Sequence, residues 1–243
     1  MGYGIMLSAD DVDFMVHGIF QYDFFGHKVW ITTTHACLFI IVLGLTIFSL
    51  IVNRKLKKAT EVPKGLQNVV EMLIDFLDGM IKSTMGKHAK VFRNYIGTIA
   101  IFILVCNLSG LLGLRPPTAD YGVTFPMGVA TFLIVHFLEF KHHKPLELWA
   151  DKCSPLPPWL PVWLPVTLIG DFAVPISLSL RLFANVLSGT VMMSLIYGLL
   201  KYIAVGWPAA LHVYFDIFSG AIQTYVFCML TMTYITSAYG DEP

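Results

Sequence analysis

Two long apolar runs hold almost no charge, and the charges they do hold decide what chemistry is available. Trp159 to Leu200 contains only Asp171 and Arg181, and Tyr202 to Tyr239 contains only Asp216. A charge at the centre of a membrane helix costs roughly 2.5–3.5 kcal/mol on insertion scales, so such a residue is functional by default. Arginine cannot escape the cost by losing its proton, because its pKa exceeds about 12. A permanent cation at that depth needs an anion or a wet cavity. Asp171 or Asp216 could supply the anion inside the chain, or a neighbour could supply it from outside. At helical spacing Arg181, Asn185 and Ser188 fall at i, i+4 and i+7 on one face, and Asp216, Ser219, Gly220 and Gln223 do the same on the next run. In an antiparallel hairpin, placing Arg181 beside Gln223 puts Asp216 beside Ser188, seven residues or about 10 Å away. Two aligned polar stripes of this kind could line a half-pore. One carboxylate would then stand on each side of the fixed cation: Asp216 on one, Asp171, ten residues before it, on the other. The alternative is that both carboxylates are satisfied by hydroxyls and amides within a helix bundle.

Other reactive side chains point to less. His136, His142 and His143 resemble a metal cluster only superficially, since the adjacent pair lies in a basic loop with Lys141 and Lys144 where interfacial solvation accounts for it. Cys37, Cys106, Cys153 and Cys228 lie far apart, with neither zinc-ligand nor disulfide-framework spacing. No cofactor is indicated.

The elements that position these residues follow from the apolar runs. Val29 to Val52 is free of formal charge and long enough, at about 1.5 Å per residue, to cross a hydrocarbon core of about 30 Å. Tyr95 to Leu114 and Tyr121 to Phe140 repeat the signal, separated by Arg115 to Asp120, whose Pro116 and Pro117 cannot continue a helix. A straight helix over the whole of 159–200 would be about twice the membrane thickness, so each of the last two runs must tilt, break or lie partly in the interface. Pro155, Pro157, Pro158, Pro161 and Pro165, interleaved with Trp159 and Trp163, mark an interfacial entry into the first of them. Between Val62 and Met85, Leu66, Val69, Val70, Leu73, Leu77, Met80 and Ile81 recur at spacings of three and four, with Glu71, Asp75, Asp78 and Lys82 interleaved. This predicts an amphipathic helix on the membrane surface or against a partner.

The expected fold is therefore an all-α integral membrane protein of five transmembrane helices and one interfacial helix. It forms a single membrane domain with an external segment at 1–28, spans at 29–52, 95–114 and 121–140, a surface helix at 62–85, a cytoplasmic loop at 141–158 and long helices at 159–200 and 202–239. Composition agrees: 56% of residues are apolar and 13% charged, with mean hydropathy +0.69, against about 25% charged in soluble domains. Formal net charge is +0, and nothing suggests a nucleic-acid partner. Asp10, Asp11 and Asp13 near the N-terminus do not fit a cleaved signal or transit peptide, so the first span is expected to serve as its own insertion signal. Nine Lys and Arg lie between Asn53 and Asn94, three between Lys141 and Pro158, and three, Lys28, Arg115 and Lys201, on the opposite side. The positive-inside rule then puts the N-terminus outside and the C-terminus in the cytoplasm.

The string Ser177-Leu-Ser-Leu-Arg181-Leu-Phe-Ala-Asn185, followed by Ser188-Gly189, resembles the signature of F-type ATP synthase subunit a. Pro175, Gln223 with Tyr225, Phe227 and Leu230-Thr231, Asn107-Leu with Gly110-Leu, and Pro117-Thr-Ala-Asp120 with Thr124 extend the likeness over nearly the whole chain. The resemblance implies that Arg181 is the family's essential arginine, and that the last two runs are steeply tilted helices forming an antiparallel hairpin against a rotating c-ring. It implies a bacterial plasma-membrane protein that is not itself an enzyme, assembled with c-ring subunits, the subunit b peripheral stalk and the rest of the F1F0 complex. Asp216, Gln223, Asn185, Asp171, Ser188, Thr190 and Asp120 would join Arg181 in carrying protons or sodium ions through two offset half-channels. Departures from the family pattern fall at Ala184 and Gly122, at Thr190, where an acidic residue or histidine is frequent, and at Thr167, where a carboxylate is frequent and Asp171 is the candidate substitute. Two competing readings lack their signatures: a secondary transporter or channel using Arg181 to bind an anion would be expected to show inverted repeats, and an intramembrane enzyme a second catalytic group.

Overall fold

The computed structural model describes residues 18–24, 27–57, 65–112, 114, 116–142, 164–199, 211 and 213–240. The loop beyond residue 142, the proline- and tryptophan-rich entry at 155–163 and the beginning of the last run at 200–210 lie outside the described residues.

A two-stranded antiparallel ribbon, β1 (Gly18–Phe24) and β2 (His27–Thr32), precedes the helices. β2 takes Val29-Trp-Ile-Thr32, β-branched and aromatic residues that suit a pleated strand, so the first helix begins at Thr33 rather than Val29. From there the architecture is helical: α1 (Thr33–Leu56), α2 (Leu66–Met85), α3 (Ala89–Leu108), α4 (Tyr121–His142), α5 (Leu164–Leu199), a π-helical segment Val213–Ser219, and α6 (Gly220–Ser237). Among the described residues five stretches are long and apolar enough to span a membrane: Thr33–Leu56, Gln67–Leu111, Tyr121–His142, Ile169–Ile196 and Val213–Ser237. α3 starts six residues before the expected Tyr95, because Arg93 is held by Asp78 of α2 in an ion pair that ties the two helices together.

The outer surface is apolar, unlike that of a water-soluble bundle, and polar side chains share the interior with apolar ones. Phe39, Val91, Phe137 and Ile169 are all about two-thirds exposed or more, whereas Thr34, Asn107, Thr118, Thr124, Thr131, Ser179, Thr224, Thr231 and Thr236 are buried. Lipid is as apolar as leucine, so burying leucine gains little there. Close packing and inter-helix hydrogen bonds hold such a bundle instead. α3 and α6 form its centre. Phe92, Ile96 and Ala100 of α3 meet Cys228, Met232 and Ile235 of α6, with Ile81 and Met85 of α2 on one side and Leu138 of α4 on the other. A second cluster, Ile103, Leu178, Leu182 and Phe227, fastens α5 to the same core.

The inner face of α2 is apolar as its periodicity requires, but Val69, Met72 and Phe76 are exposed on its outer side. α4 runs along α5, and Gly128 makes their approach close: a Cβ there would come 2.6 Å from the Pro175 carbonyl oxygen. The connection read as a loop between the spans at 95–114 and 121–140 is partly interior at 117–119. Pro117, Thr118 and Ala119 form a buried 3-10 turn, and the Thr118 hydroxyl donates to Asn107 Oδ1 at 2.9 Å.

Candidate functional site

Leu178, Ser179, Leu182 and Met193 turn one face of α5 inward. The opposite face presents Ser177, Arg181, Ala184, Ser188, Met192 and Leu195, all exposed and recurring at spacings of three and four. Arg181 therefore points away from the core of its own chain. Among the described residues it makes no ion pair and no hydrogen bond, and neither Asp171 nor Asp216 clasps it. Its neighbours on the stripe, Ser177, Ala184 and Ser188, are small, which leaves the guanidinium standing clear and lets another helix approach closely.

Two contacts relate α5 to the last helical run. The Ser219 hydroxyl donates to Asn185 Oδ1 at 3.0 Å. Four residues further along α5 and four residues back along the other run, a Cβ at Gly189 would lie 3.9 Å from that of Phe215. The two runs are thus antiparallel where they touch. Extending the pairing by one turn in the other direction brings Arg181 level with Gln223, and Ser188 is level with Asp216.

The four polar residues of the last run do not form one straight stripe. Asp216 lies in the π-helical segment, whose wider turn re-aims side chains and is common at functional sites. Its carboxylate faces the end of α3, where a Cβ at Gly110 would lie 3.4 Å from Cγ and Oδ2 of Asp216. Ser219 turns to α5, while Gly220 offers its carbonyl to Asn107 Nδ2 at 3.2 Å. Asn107 also reaches the Thr224 hydroxyl at 3.5 Å, so a buried polar knot joins α3, the 3-10 turn and α6 beside Asp216. Gln223 is buried, and its Nε2 has no hydrogen-bond partner among the described residues. An unsatisfied buried amide costs about 1–3 kcal/mol, which marks this as a place where a further polar group fits.

On the other side of Arg181, Asp171 Oδ2 lies 3.8 Å from His136 Nε2 of α4. Both side chains are about three-quarters buried. Phe132 packs against the imidazole at 4.0 Å between centroids and stacks on Phe172. On sequence His136 stands only as one of three histidines that superficially resemble a metal cluster; its place within the apolar run Tyr121 to Phe140 was the signal that separates it from the loop pair His142 and His143. Three other candidates make local hydrogen bonds in the structure. Asp120 Oδ1 accepts the Gly122 N–H at 2.9 Å and so caps the start of α4. The Thr190 hydroxyl donates to its own helix at the Leu187 carbonyl, 2.8 Å away, and Ser188 does likewise to Asn185.

Fold and site together define a multi-pass helical membrane protein that carries ionisable side chains within its membrane-length helices, a class that includes ion-translocating subunits. The chain matches the family described as ATP synthase A chain over residues 34–236. It is 36% identical to ATP synthase subunit a of Trichlorobacter lovleyi over 196 residues, covering 80% of this chain and 82% of the relative. It is 33% identical to that of Ehrlichia ruminantium over 241 residues, covering 96% and 98%. It is also 33% identical, over 212 residues covering 80% and 71%, to the Propionigenium modestum protein named ATP synthase subunit a, sodium ion specific. The chain belongs to the ATP synthase subunit a family, a non-catalytic part of the ion-translocating F0 sector.

Proposed function

We propose that this chain is the stator of the F0 motor, with Arg181 dividing two offset ion paths that meet at a rotating ring of c subunits. The observation that carries the reading is the outward, unpaired guanidinium on a stripe of small residues. A ring carboxylate can face lipid only when neutralised by a bound ion, and Arg181 attracts it once ionised. An ion entering past Asp216 neutralises the next carboxylate and releases it into lipid, while another leaves past Asp171. The fixed charge repels a cation crossing directly between the paths. Each charge carries about 2.3 kcal/mol per 100 mV, so without that barrier leak would compete with rotation.

Support for the two-path arrangement comes from the level of the carboxylates along α5. Asp216 sits near Ser188 and Asp171 ten residues before Arg181, so they flank it by about 10 Å and about 15 Å. Gln223, level with the arginine and short of a partner, holds the meeting point polar. The half-channels open to opposite faces, the N-terminus outside and the C-terminus in the cytoplasm. α2 lies along the cytoplasmic membrane surface, and α5 with the last run crosses steeply against the ring. Subunit b and the rest of the F1F0 complex complete the assembly.

The test is ATP-driven pumping in inverted membrane vesicles. Arg181→Ala is expected to abolish it while the complex still assembles. Normal pumping by that variant refutes the assignment.

A further inference from the structure

His136 Nδ1 lies 3.2 Å from the carbonyl oxygen of Phe132, one helical turn earlier. A carbonyl can only accept, so Nδ1 must carry the hydrogen, and that fixes the tautomer of the neutral ring. In the neutral ring Nε2 is then a bare lone pair, and it faces Asp171 Oδ2 at 3.8 Å. Two acceptors face each other across a largely buried gap. With the ring neutral and the carboxylate ionised they repel. One added proton, on either atom, converts the repulsion into an attraction, as an imidazolium beside a carboxylate or as a carboxylic acid beside an imidazole. The gap is too long for a direct hydrogen bond and is closed by a small side-chain rotation or a single water. The other ionisable groups on these two helices near the pair are Glu139, one turn further along α4, Lys141 and His142 beyond it, and Arg181, ten residues along α5.

We infer that His136 and Asp171 together form a one-proton relay on the second ion path, with His136 the acceptor that takes the proton from Asp171 and hands it to water. The inference rests on the stator reading above and adds to it a residue on a different helix from the arginine. A proton that leaves a ring carboxyl group, breaking its O–H bond there, forms an O–H bond on Asp171 Oδ2. Its transfer to Nε2 forms an N–H bond and restores the carboxylate, and its release from Nε2 to water restores the starting pair. Phe132 packs on the imidazole and stacks on Phe172, giving the pair an aromatic wall.

The experiment measures acidification of inverted vesicles carrying the whole complex, across a series of pH values. His136→Asn keeps an amide N–H for the Phe132 carbonyl and removes the Nε2 acceptor. It is expected to lower pumping roughly tenfold and to change its pH profile, with the yield of assembled complex retained. Asp171→Asn should do the same, and the double variant should be no worse than either single one. If His136→Asn does not assemble, His136→Gln carries the same test. A wild-type rate and pH profile in the assembled variant, or losses that multiply in the double variant, overturn the relay. Wild-type pumping in the histidine variant beside its loss in Arg181→Ala overturns the relay alone. Wild-type pumping in both overturns the stator reading.

Discussion

The two flanks of Arg181 hold a carboxylate by different means. On one, Asp216 is positioned by backbone irregularity: a seven-residue π-helical segment, the side-chain-free surface of Gly110 and a buried knot of Asn107, Thr118 and Thr224. On the other, α5 is a continuous 36-residue helix, and Asp171 is positioned by a side chain of α4, His136. The first arrangement fixes where an acidic group points through backbone geometry and small polar neighbours. The second sets a titratable ring beside it. The difference teaches that a carboxylate can be placed at membrane depth by shaping the chain around it or by bringing a side chain of a neighbouring helix to it.

The comparison can be broken most forcefully at Asp216. Thr190, the neighbouring candidate, has its hydroxyl committed to Leu187, so Asp216→Asn is expected to cut ATP-driven pumping by more than about tenfold. Pumping within twofold of wild type would mean that the π-helical flank is structural.

Gly128→Val strikes the other flank through packing. The new side chain would meet the Pro175 carbonyl, whose oxygen is 2.6 Å from the nearest Cβ position, and push α4 off α5. Overpacking of this kind costs typically about 1–3 kcal/mol. Thermal unfolding of the purified complex should shift down, with a loss of pumping. An unchanged transition would show that the helices separate without penalty.

The smallest effect sharpens the contrast by using a third aspartate. The Asp120 carboxylate accepts the Gly122 N–H and caps α4, so Asp120→Ala should cost about 1 kcal/mol of stability and leave the pH profile of pumping unaltered. A changed profile would place Asp120 on an ion path after all.

How much of this was legible in the sequence follows from the physics of each signal. Hydropathy and helical length need only local chemistry, so five candidate spans and the outlying charges Arg181, Asp171 and Asp216 could be read without a structure. The family could be read too, because its signature surrounds Arg181 within one helix. Boundaries were softer: β2 claimed the start of the first span and α3 began early, since a strand register and an inter-helix ion pair depend on a partner segment.

The sequence by itself determined that a permanent cation would lie within an apolar helix with carboxylates on its own run and the next. It could do so because charge and hydropathy are properties of single residues and their spacing. Only the tertiary structure decided that the guanidinium faces outward, that a π-helical turn carries Asp216 toward Gly110, and that His136 meets Asp171. Those depend on rotation about helix axes and on contacts between residues far apart in the chain, which no local pattern encodes.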